Sequence, residues 1–574
     1  MEHQFVRNHP EPDTRPLLWV DAVCINQNDG LEKAAQVMMM QDIYQKAERV
    51  VVWLGEEDAQ SNKGLDFVSQ LLAAEERAKT VLSDADASLV AWKRLRKLDL
   101  PKEGGDDDEY MSFISLFKRD WWSRVWIIQE VAMAKEAHLM CGSRSVLWDD
   151  FVKAFYFMNT LNLIIPDPAR YAEVLFRVVS VIDARDSRVL GHERDLLGLL
   201  LRCRSSLATD PLDKVFALLG LATNTGEDGI KIRPEYGIEV KKVYTDLALA
   251  IIEHEGNLDI LGVPRTKANP KEEPKAVQSV DSEKDQEANP TMDPFPSWVP
   301  DWSTWDSTLT LNRRERLASY EPQNEILIRK ATGNTRAEPL RHANTNLLGL
   351  QGYTIDEITQ LGPLYRSEDE LLNFNIWLVD SIKFWKSNMQ TLLHWESLSE
   401  SNNQQHHYKN KIYRTTGESM LDAYWQTLTV GWQLNEEHTL SATTYREWDR
   451  YHRPAAWLRR FVGPKIATSS AYTWFTFALM FCKQMRRPPP ELGFERPLSL
   501  ASNRRFVRTG KGYMGLVGAE TRVGDCVVLC KRGGSPLIMR PNGGSWELVG
   551  DSYVHGMMSG EVFEEEKCRT MWLA

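Results

Sequence analysis

The sequence predicts an α/β chain: an N-terminal α/β unit, then a mainly helical region, then a small C-terminal β module. Three observations carry this. Leu18-Trp-Val-Asp-Ala-Val-Cys-Ile-Asn-Gln27, a helical run, and Val50-Val-Val-Trp-Leu-Gly55 read in order as strand, helix, strand. Residues 151–260 and 365–485 are mostly helical in pattern. From Phe506 to Phe563, short apolar runs alternate with glycine turns, as in a small sheet or barrel.

In order along the chain, Leu18 to Ile25 clusters apolar residues as a strand does, with one acid, Asp21, inside it. Asn28-Asp29-Gly30 ends it, and Asp29 with Glu32 has capping-box spacing. Leu31 to Ala47 is helical. Ala35, Met39, Ile43 and Ala47 share a face, widened by Met40 and Tyr44, while Lys33, Gln41, Gln45 and Glu48 lie opposite. Val50 to Leu54 is wholly apolar, which predicts a strand covered on both faces. Ser61 to Leu100 reads as charged helices, Lys102 to Glu109 as a solvated loop, and Met111 to Lys135 as a helical block. Ala137 to Cys141 and Ser145 to Trp148 read as two strands around Gly142-Ser143, with Asp149 opening the next helix.

Asp210-Pro211 places a capping acid and a first-turn proline before another helix, which Gly220 can end. The segment 265–293 has no aromatic residue and is rich in charge, Pro, Asn and Gln, so it reads as a linker or surface insertion. The predicted divisions are 17–150 (α/β), 151–263 (its helical continuation), 264–294 (linker), 295–500 (mainly helical) and 501–574 (β-rich).

Composition narrows the function. The 574 residues carry a net charge of −11, which argues against a nucleic-acid partner. Seven scattered cysteines, an odd number, fit reduced thiols and a cytoplasmic location. Cys526 and Cys530 have no second pair to complete a zinc site, so no metal is expected. The longest near-apolar run, Ala471 to Cys482, has 12 residues, too short to span a membrane. Met1 to Pro16 is polar and lacks a signal-peptide core. Nothing has the context of a phosphate-binding loop, a nucleophile elbow, a zinc-protease helix or a dinucleotide fingerprint.

Several stretches together carry a family resemblance. Leu18 to Gly55, Trp121-Trp-Ser-Arg-Val-Trp-Ile-Ile-Gln-Glu130, and Asp210-Pro-Leu-Asp-Lys-Val-Phe-Ala-Leu-Leu-Gly-Leu-Ala222 resemble successive blocks of the fungal HET (heterokaryon incompatibility) domain. Pro296 to Ser303 and Gly512 to Glu561 are similar to later blocks of the same proteins. The resemblance implies a role in non-self recognition and programmed cell death, acting through protein partners or self-association. It also implies a TIR-like, flavodoxin-like parallel sheet. A complete HET domain opens with a further strand and helix that do not fit into Met1 to Leu17, so the sheet is expected to be incomplete, and an inactive shortened relative is a second reading.

The resemblance also suggests chemistry. Some TIR domains hydrolyse NAD with a glutamate on a helix, four residues after a tryptophan. Trp126 and Glu130 have that spacing, and i and i+4 share a helix face. Glu130 is then the candidate catalytic carboxylate, with NAD as substrate and no resident cofactor; a carboxylate there stabilises an oxocarbenium-like ribose or orients water. Asp21, Asn26, Arg124 and Trp126 are the candidate ligand-binding residues. Each has a plainer reading: Trp126 in the core, Glu130 or Asp21 paired with Arg124, and Asn26 and Gln27 in turn and cap hydrogen bonds. No motif places a base beside Cys24, which reads as a small buried hydrophobe. Lys214 reads as a salt-bridge partner of Asp210 or Asp213, and His555 as part of a structural turn.

Overall fold

A computed structural model of the chain describes residues 17–81, 109–160, 168–265, 295–304, 308, 310–311, 330–333, 335–342, 346–366, 377–399, 412–431, 440–452 and 494–574. The helix and strand content bears out an α/β chain. Two compact units, Met1–Val243 and Tyr244–Ala574, divide it. Most of the expected linker, and Ala471 to Cys482, lie outside the described residues.

The first unit departs from expectation at once. Asp21–Cys24 is a short helix, α1, where a strand was expected. Apolar runs this short do not distinguish the two states by pattern alone. Of that run only Ile25 is fully buried, while Val23 and Cys24 are exposed, so no sheet face holds it extended. Helix α2, Gly30–Lys46, is capped as predicted: Asp29 Oδ1 accepts the Leu31 and Glu32 amides. The Glu32 carboxylate reaches back to the Asn26 amide at 3.0 Å instead of to Asp29. Its buried residues are Val37 and Met40, with Lys33 turned inward; Ala35 and Met39 are exposed. The inner face is therefore rotated from the one expected.

Strand β1, Val50–Trp53, runs parallel to β2, Ala137–Cys141, which pairs antiparallel with β3, Arg144–Leu147. The crossover from β1 to β2 passes through helices α3, Ala59–Val81, α4, Glu109–Leu116, and α5, Ile127–Met133. As the sheet's edge, β1 buries Val50 and Val52 and leaves Val51 and Trp53 half-buried, so one face, not both, is fully covered. Gly142 turns the β2–β3 hairpin with φ +57°, and the Glu57 carboxylate accepts the Ser143 amide and hydroxyl. The helical block expected over Met111 to Lys135 is broken: a 3-10 turn, Asp120–Ser123, separates α4 from α5. That turn buries Trp121 and Trp122 among Phe117, Trp148 and Phe151, and the Trp122 indole caps the Leu116 carbonyl at 3.0 Å. Helices α6, Trp148–Thr160, α7, Pro168–Val189, α8, Leu196–Arg202, and α9, Asp213–Leu219, complete the unit.

In the second unit, strands appear inside the region expected to be mainly helical. β4, Leu340–Arg341, and the 18-residue β5, Leu348–Tyr365, join β6 to β11 in one eight-stranded sheet. The later strands are Arg504–Thr509, Met514–Gly518, Cys526–Cys530, Leu537–Asn542, Ser545–Val554 and Arg569–Leu573. The pairings β5–β6–β7–β10–β9–β8–β5 close a ring, which removes open edges. β5 serves the whole ring because it is long and bulged, pairing with β8 along its first part and β6 along its second. Ile358, Val507, Val517, Val527, Ile538 and Val554 form one core; Trp395, Tyr424, Tyr445 and Phe506 centre another. Among the described residues, no helix is long and apolar enough to cross a membrane.

Candidate functional site

The site in the first unit grows from the short helix α5. Its last carbonyls are satisfied by α7: Arg185 Nη1 donates to Val131 and Ala134 oxygens at 2.8 Å, and Arg188 to Ala132. This fixes Glu130 and the preceding Arg124-Val-Trp126. The Val125 amide donates to the Leu207 carbonyl at 2.9 Å, which draws the 207–213 loop beside Arg124. Asp210 then holds the Leu212 amide and opens α9, bringing Asp213 forward.

These segments line a half-open cavity of about 620 Å3, within the usual size of small-molecule sites. Asp21 and Gln27, Lys33, Arg124 and Trp126, and the loop from Leu207 to Asp213 line it. Two cations and three carboxylates face one space beside an indole. Arg124 Nη2 stands 3.7 Å from Asp21 Oδ2. Asp213 Oδ1 accepts the Tyr236 hydroxyl at 2.6 Å, Lys33 Nζ stands 3.8 Å from Oδ2, and the Trp126 indole lines the same cavity. The Lys33 ammonium also sits 3.8 Å over the Tyr236 ring, a cation–π contact. Burial raises the Asp213 carboxyl above its ordinary range, against the Tyr236 hydrogen bond and the Lys33 charge.

Glu130 does not line the cavity. It is buried, and that burial raises its carboxyl to about 7 against the nearby Arg124 charge, with Asp21 adding to the rise and the Trp121 indole opposing it. Tyr44, itself raised by burial, feels the charges of Glu130 and Asp21. Trp126 and Glu130 are one helical turn apart but enter different surroundings.

The other sequence candidates are placed as follows. Asn26 is exposed and off the cavity wall; its Oδ1 accepts the Asn28 amide, a turn contact. Gln27 Nε2 donates to the Asp21 carbonyl at 3.2 Å. Cys24 is exposed rather than a buried hydrophobe, because it lies on α1 and not within a covered strand. Lys214 is buried and donates to the Arg204 and Ser206 carbonyls. His555 bridges Glu418, at 2.5 Å, and the Tyr553 hydroxyl, at 2.9 Å. Six cysteines are free, and no cluster suited to a metal occurs among the described residues. Lys33, Asp213 and Tyr236 were missed: Lys33 was assigned to the solvent face, and Asp213 to a local ion pair.

Both ends of the chain define its class. Residues 4–130 match the family described as Heterokaryon incompatibility protein (HET), and residues 345–574 match the Het-6 beta-barrel domain. These matches make the chain similar to the HET-domain proteins at both of its matched regions. It is 25% identical, over 638 aligned positions, to Heterokaryon incompatibility protein 6, OR allele, of Neurospora crassa; the alignment covers 98% of this chain and 84% of the relative. No solved structure matches.

Proposed function

We propose that this protein acts in fungal heterokaryon incompatibility and that its HET unit binds NAD in the cavity beside Arg124 and Trp126. The observation that carries the ligand class is the juxtaposition of Arg124 and Lys33, suited to phosphates, with the Trp126 indole and the Asp21 and Asp213 carboxylates, suited to a ring and to hydroxyls. The parallel β1–β2 pair joined through helices supports a TIR-like reading of the unit. In the enzyme version the bond between ribose C1′ and nicotinamide breaks, its electron pair leaves with nicotinamide, and water adds to C1′ and gives up a proton. Glu130, with a carboxyl near neutrality, is the key carboxylate for the developing charge or that proton. Because Asp21 and Arg124 face the cavity and Glu130 does not, this version requires the wall to open, and self-association of the chain is the proposed trigger.

The sealed position of Glu130 favours a second reading, in which the unit binds a ligand or partner and recruits other proteins without turnover. Calorimetric titration of the full chain with NAD tests the shared step. Binding that Arg124→Met weakens about tenfold, as loss of a charge-assisted contact predicts, supports it. No binding by the wild-type chain at millimolar NAD rejects it.

A further inference from the structure

Of the three carboxylates that line the cavity, the one held within a helix-opening network is Asp213 on α9. Asp213 is 6% exposed, yet it is part of the cavity wall. Its neighbours orient it from two directions: the Tyr236 hydroxyl on Oδ1 at 2.6 Å and Lys33 Nζ near Oδ2 at 3.8 Å. Lys33 and Tyr236 steady each other through the cation–π contact. The backbone is equally set, since the Asp213 amide donates to the Asp210 carbonyl and Asp210 Oδ1 holds the Leu212 amide. A carboxylate has about four acceptor directions on two oxygens, so one hydrogen bond and one ammonium at ion-pair distance leave it able to accept more. Two oxygens on one plane match two hydroxyls on adjacent carbons.

We propose that Asp213 is the group by which this cavity recognises the vicinal hydroxyls of a ribose-bearing ligand, with Tyr236 and Lys33 as its positioning residues. The inference rests on the nucleotide reading above and deepens it: Arg124 supplies affinity for phosphate, and Asp213 supplies selectivity for the sugar.

The test is calorimetric binding of two unreactive probes to the full chain: ADP-ribose, which carries two ribose diols, and 2′,3′-dideoxy-ADP, which carries none. The wild-type chain prefers ADP-ribose by about tenfold or more, the effect of hydroxyls bonded to a charged acceptor. Asp213→Asn loses the preference, whereas Arg124→Met weakens both probes and keeps it. If Asp213→Asn is not folded by circular dichroism, Tyr236→Phe decides instead, and a preference reduced several-fold is expected. A preference that survives in the folded Asp213→Asn chain, or in Tyr236→Phe where that variant decides, overturns the inference. A wild-type chain that binds both probes equally also overturns it while leaving the nucleotide reading intact. A wild-type chain that binds neither removes both.

Discussion

The Glu130 amide donates to the Trp126 carbonyl at 3.2 Å, yet the two side chains part company. The indole lines the cavity, and the carboxylate is buried away from the cavity wall, near the Arg124 charge. Sequence spacing fixes the backbone relation but not the destinations, because α5 begins at Ile127 and leaves Trp126 at its cap.

Burial of Glu130 makes stability depend on pH. Its carboxyl lies at about 7 in the fold and near 4.5 in the unfolded chain, so the folded state holds more protons between those values. This contribution is full below the unfolded value and is lost as pH rises through about 7, by roughly 3 kcal/mol at the limit. Denaturant unfolding of wild type and Glu130→Gln from pH 5 to 8 checks it. The wild type should lose stability relative to the variant as pH rises; parallel curves contradict the assignment.

Arg124 is the charge that holds Glu130 down, and Asp21 opposes it. Arg124→Met should therefore raise the Glu130 carboxyl further, and Asp21→Asn should lower it. Carbon-detected NMR titration of labelled glutamate reads both directions. Identical shifts in the two variants contradict the electrostatic account.

Lys214 donates its buried ammonium to two carbonyls, Arg204 and Ser206, that shape the loop leading to the cavity. Lys214→Met strands both acceptors and should cost about 3 kcal/mol. In a unit of this size that is a fall on the order of 10 °C in melting temperature. A fall of under 2 °C, to within about half a kcal/mol, would show that water satisfies these groups.

In the second unit, Arg504 Nη2 and Asp551 Oδ1 form a buried pair at 2.8 Å, and Asp551 Oδ2 accepts the Leu311 amide at 2.8 Å. Asp551→Ala leaves Arg504 charged and buried, at about 3–5 kcal/mol. The double variant Arg504→Met, Asp551→Ala should recover much of that loss. Additive losses in a double-mutant cycle would mean the pair is not the coupled unit that its geometry indicates.

How much was legible depended on how local the determinants were. The Asp29 cap, the β2–β3 hairpin and the strands after residue 500 were visible because turn and cap chemistry lies within a few residues of the element it controls. The inward face of α2 was not, because Ala35 and Met39 look as apolar as Val37 and Met40, and only the partner Asp213 explains why Lys33 turns in. β5 was hidden by its glycines. Glycine ordinarily weakens a strand, but a Cβ at Gly352 would sit 2.6 Å from the Leu529 carbonyl, so the glycine permits β5 and β8 to approach. The role of Asp213 was hidden for the opposite reason to the cap's: its partners Lys33 and Tyr236 are distant in sequence.

The central claim is that the HET unit acts on NAD and that Glu130 is required. The most direct measurement is nicotinamide release from NAD by the purified full chain, alone and fused to an oligomerising tag, for wild type and Glu130→Gln. The account predicts release by the tagged wild type and at least about a hundredfold less from the folded variant, the usual scale for losing an acid–base group. No release from the tagged wild type, or equal release from Glu130→Gln, contradicts it.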